Sequence, residues 1–98
     1  MPMLRLLGCA STEFGCPALY DTDTDVLIVQ GTRARDGAAV LVPDTIGTWA
    51  EPGMVVPTHA TDTAGVVLVA GDPVDEETLA KLLLEDDEAA VSIPKFSR

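Results

Sequence analysis

Aromatic side chains are almost missing from this chain, which has two Phe, one Trp and one Tyr in 98 residues. Val, Leu, Ile and Ala must therefore fill the interior, and few flat faces remain on which bases or sugars could stack. Basic residues are also scarce. Six Lys and Arg stand against sixteen Asp and Glu, a formal charge of −10 that repels nucleic-acid phosphates and anionic membranes at long range. The expectation is no direct nucleic acid binding and no membrane association. No apolar run approaches the roughly eighteen residues of a membrane span. Leu6-Leu7-Gly8-Cys9 has the look of a lipoprotein cleavage box, but the stretch before the cysteine is too short for a charged region plus an apolar region of about 7–15 residues. The reading is a soluble, cytoplasmic protein.

Residues that do covalent or metal chemistry are few. His59 is the only histidine, and Cys9 and Cys16 are the only cysteines. Ser11, Ser92 and Ser97 lack a nucleophile-elbow context, and no glycine loop of the kind that cradles phosphates is present. Gly71-Asp72-Pro73 places a carboxylate where a phosphate would have to sit at a helix N-terminus, so a nucleotide-binding reading fails on charge. Catalytic residues are accordingly assigned as none.

What is present is enough apolar residue, 47% of the chain, for one hydrophobic core and one domain. Gly65-Val-Val-Leu-Val-Ala-Gly71 is a β-branched run closed by glycines, the pattern of a buried strand. A helix is expected over 73–84, capped by Asp72, with Pro73 in its first turn and Leu79, Leu82 and Leu83 on one face. Ala89–Ile93 then resumes as a strand that Pro94 ends. This strand–helix–strand end predicts one parallel pair made through a right-handed crossover.

Earlier in the chain, Met3–Leu7 reads as a first strand, Pro17–Tyr20 as a short one and Val26–Arg35 as the longest. Asp36-Gly37 between Val26–Arg35 and Ala38–Val42 is a strong hairpin signal, because both central turn positions need positive φ. That turn pairs Arg33 with Val40. Ile46 and Trp49 are spaced to cover one side of a turn, Met54–Val56 reads as a strand and Pro57–Ala64 as a loop. The fold class is α+β: a small, mostly antiparallel β-sheet or β-roll with one helix packed on it.

Three groups of residues are candidates for function. Arg33 and Arg35, at the hairpin tip, could grip a carboxylate or phosphate of a partner, and charges there would also block edge-to-edge aggregation. Glu85, Asp86, Asp87 and Glu88 could dock on a basic groove, although charge runs are usually a solvated face. Cys9, Cys16 and His59 could hold zinc with a carboxylate or a partner's residue as fourth ligand, or the cysteines could form a redox pair. Against that, the spacing fits no standard zinc knuckle and buried reduced cysteine is common. Asp21, Asp23 and Asp25 alternate as at the start of a calcium loop, but Val26 and Thr32 stand where that loop needs glycine and glutamate.

Cys16-Pro17-Ala18-Leu19-Tyr20, Val29-Gln30-Gly31, Asp72-Pro73 with its helix, and Glu88–Pro94 together resemble short acidic proteins of actinobacteria, some of them encoded near helix-turn-helix regulators. The chain differs from them in carrying Thr32–Ala64 between the Gln-Gly strand and the helix. The resemblance implies a regulatory binding partner and no catalytic residue. The leading expectation is thus a non-enzymatic interaction protein engaging another protein, such as a helix-turn-helix regulator, with a homodimer formed through free sheet edges as a side expectation. A zinc or redox protein centred on Cys9 and Cys16, and a structural subunit of a larger assembly such as a phage particle, are the alternatives.

Overall fold

The computed structural model describes residues 4–10, 17–82, 84 and 86–95. Among the described residues eight strands form one sheet: β1 (Leu4–Cys9), β2 (Ala18–Thr22), β3 (Val26–Ala34), β4 (Ala39–Pro43), β5 (His59–Ala60), β6 (Val66–Ala70), β7 (Asp72–Pro73) and β8 (Glu88–Pro94). One short helix, α1 (Glu76–Leu79), lies between β7 and β8. Asp44–Thr48 forms a 3₁₀ turn that buries Ile46. None of the described helices is long and apolar enough to cross a membrane.

β3 is the organising strand. Leu27–Gln30 pair with β2 on one edge and with β8 on the other. Both faces are covered, which explains why Val26-Leu27-Ile28-Val29 reads as an unbroken apolar run. Thr32 pairs with Leu41 and with Glu88, so β4 takes over the edge that β2 leaves. Gly31 sits at this handover, where a Cβ would lie 2.5 Å from the Leu41 carbonyl oxygen and 2.7 Å from Val42 Cγ1. Only a residue without a side chain lets the two strands approach so closely.

The hairpin from β3 to β4 has the expected register, Arg33 opposite Val40 and Ala34 opposite Ala39. Ala38 N–H donates to Arg35 O across the turn, and Asp36 (φ 57, ψ 32) and Gly37 (φ 93) supply its two central left-handed residues. The strands end one residue earlier on each side than the sequence suggests, because Arg35 is itself left-handed, with φ 50.

Beyond the hairpin the sheet curls. β6 pairs with β4 and, one residue later, β7 pairs with β8. The two halves thereby face each other across a core of Leu19, Leu27, Val29, Val40, Val42, Ile46, Val69, Val91 and Ile93, with Trp49 and Met54 packed against it. Each fully buried aliphatic side chain contributes about 1.5–3 kcal/mol by leaving water. On the opposite face of β3 and β8 a smaller cluster joins Ile28, Leu82 and Ala90, covered by Leu4, Tyr20, Val74, Leu79 and Leu84.

The C-terminal unit departs from its sequence pattern. Asp72 and Pro73 form β7 instead of starting the helix, and the cap is Asp75, whose carboxylate accepts the Thr78 N–H at 2.8 Å. α1 has four residues, extended by the i→i−3 bonds Lys81 N–H to Thr78 O and Leu82 N–H to Leu79 O. Every described strand pair is antiparallel, so the expected parallel pair is absent. A single helical turn is too short for a crossover, and β6 and β8 find their partners in β4 and β3. Two further expectations are corrected: Met54 makes only an isolated bridge, and His59–Ala60, expected in a loop, pairs with β6. His59 and Ala60 can do so because Leu68 and Val67 present a free edge opposite β4.

Candidate functional site

The hairpin tip and the acidic run, treated separately in sequence, lie side by side. Arg33 N–H donates to Asp87 O at 2.7 Å, and its guanidinium Nη2 donates to Glu88 O at 3.3 Å. Arg35, Asp86 and Asp87 are exposed, and Glu85 lies outside the described residues. Glu88 is only 2% exposed, inside the sheet opposite Thr32, so its carboxylate is not presented to a partner. The basic tip therefore has acidic neighbours of its own chain, which weakens its pull on an external anion.

Cys9 is exposed at the end of β1 and His59 is exposed on β5; these are the two end strands of the main strand order. Cys16 lies outside the described residues. Among the described residues no three His, Cys, Asp or Glu side chains converge in a way that would hold a metal.

The Asp21–Asp25 turn shows what the aspartates do. Asp21 is in β2, on the same face as Leu19, and not in a loop of the calcium-binding kind. Its Oδ2 pairs with Arg5 Nη2 at 2.7 Å and its Oδ1 lies 2.7 Å from Lys95 Nζ. The second contact is ionic: no donor meets Oδ1 in good hydrogen-bond geometry, whereas Lys95 Nζ donates to Thr22 O at 2.8 Å. Arg5 also grips Glu51 with two bonds, 2.5 and 3.2 Å long. The Lys95 ammonium, and then the Arg5 guanidinium, hold the Asp21 carboxyl below the usual carboxylate range, against burial acting in the opposite direction. Glu51 is likewise held low by its bonds to Arg5, and Arg5 is raised further above its ordinary value. This network joins β1, β2, the loop at Glu51 and the end of β8. Only the alternation that places Leu19 and Asp21 on one face of β2 hinted at it.

A cleft of about 540 Å³ opens on the face carrying the smaller apolar cluster. Val26, Ile28 and Ser92 form its floor, Thr22–Thr24 one wall, and Pro73-Val74-Asp75 with Thr78 the other. Thr22 Oγ1 donates to Val26 O at 2.7 Å, lies 2.8 Å from Thr24 Oγ1 and accepts the Thr24 N–H, which fixes the first wall. On the second wall the Thr78 N–H donates to Asp75 Oδ1 at 2.8 Å, and Thr78, by its side chain and then its N–H, holds that carboxyl below its ordinary value. Sequence reading missed the cleft, since its walls meet only when β7 lies along β8.

Comparison with family models, with curated proteins and with solved structures finds no match.

Proposed function

We propose that this chain is a non-enzymatic interaction protein whose acidic surface engages a protein partner carrying a basic surface. A DNA-binding regulator of the helix-turn-helix kind is such a partner, because the face that reads DNA is itself basic. One observation carries the reading. Arg5 and Lys95 are drawn into the network with Asp21 and Glu51, while Asp23, Asp25, Asp72, Asp75, Glu76, Glu77, Asp86 and Asp87 stand exposed. Pairing Arg5 and Lys95 with Asp21 and Glu51 cancels two charges of each sign, so the formal charge of −10 is carried by the remaining groups, and fields of this kind steer association with a basic partner.

Affinity capture from the native cell at low and at high ionic strength tests the proposal. The expected result is one basic protein recovered at low salt and released as salt rises, since exposed charges are screened beyond about 10 Å at 0.1 M. Recovery of no discrete protein, or of one held without regard to salt, overturns it. So does turnover of a substrate that is lost on replacing Cys9, Cys16 or His59.

A further inference from the structure

We draw no further inference here: the strongest candidate, the outer edge of β1 with Leu6 52% exposed on it, is interrupted by the bulge between Leu6 and Gly8 and charged at Arg5, two features that block edge pairing, and nothing in the structure shows what covers it.

Discussion

Lys95, at the end of β8, places its ammonium 2.7 Å from the Asp21 carboxylate of β2, with the two side chains only 12% and 13% exposed. The contact joins the residue that follows β8 to the second strand. Lys95 N–H donates to Asp25 O and Lys95 O accepts the Val55 N–H, so one residue clasps three segments. Lys95→Met is expected to cost about 2 kcal/mol, between the values for exposed and for fully buried pairs. Urea denaturation measures it. In Lys95→Met with Asp21→Asn the loss should be smaller than the sum of the single losses, because neither charge is then left alone.

Stability should fall in acid with a definite sign. The folded Asp21 pKa lies below its unfolded value, so the unfolded chain binds more protons as pH drops past about 4. The stabilisation is fully present above the ordinary carboxylate range and is lost as pH falls through the folded value. Urea midpoints should be nearly level from about pH 7 to about pH 5 and decline below about pH 4. Asp21→Asn should flatten that decline in part, with the remaining slope coming from Glu51 and Asp75, whose shifts have the same sign.

Gly31→Ala should destabilise by about 1–3 kcal/mol, the usual cost of overpacking. The obstructing Leu41 oxygen belongs to the backbone of the paired strand and cannot rotate away. Gly47→Ala, where a Cβ meets open space, should stay within about 0.5 kcal/mol. Paired thermal melts distinguish the two; equal effects would remove the close-approach argument.

Gly37→Ala should cost about 1 kcal/mol, because alanine resists the φ of +93° there. Asp36→Asn should be neutral or slightly stabilising, since asparagine suits the left-handed first position of this turn. Chemical denaturation of both variants checks the turn type.

Elements set by neighbouring residues were legible. Asp36-Gly37 fixed the turn and hence the pairing of Arg33 with Val40, and the glycine-bounded run at 65–71 contains β6. The helix over 73–84 was overread. Asp72-Pro73, read as the start, is held in β7 by Ser92 and Val91 of β8, so the helix begins instead at the Asp75 cap. Glu88 shows the same limit: in sequence it closes a charge run, and in the fold it is the first residue of an inner strand.

Sequence by itself determined the charge, the aliphatic interior, the apolar runs that became strands and the sharp turn between β3 and β4, because each depends on composition or on contacts a few residues apart. The tertiary structure alone decided that Asp21 meets Arg5 and Lys95, that the basic tip lies against Asp87, and that threonines from two distant segments line one cleft. Those arrangements follow from which strand edges pair, and edge choice is governed by burial summed over the whole sheet, which no local pattern of residues encodes.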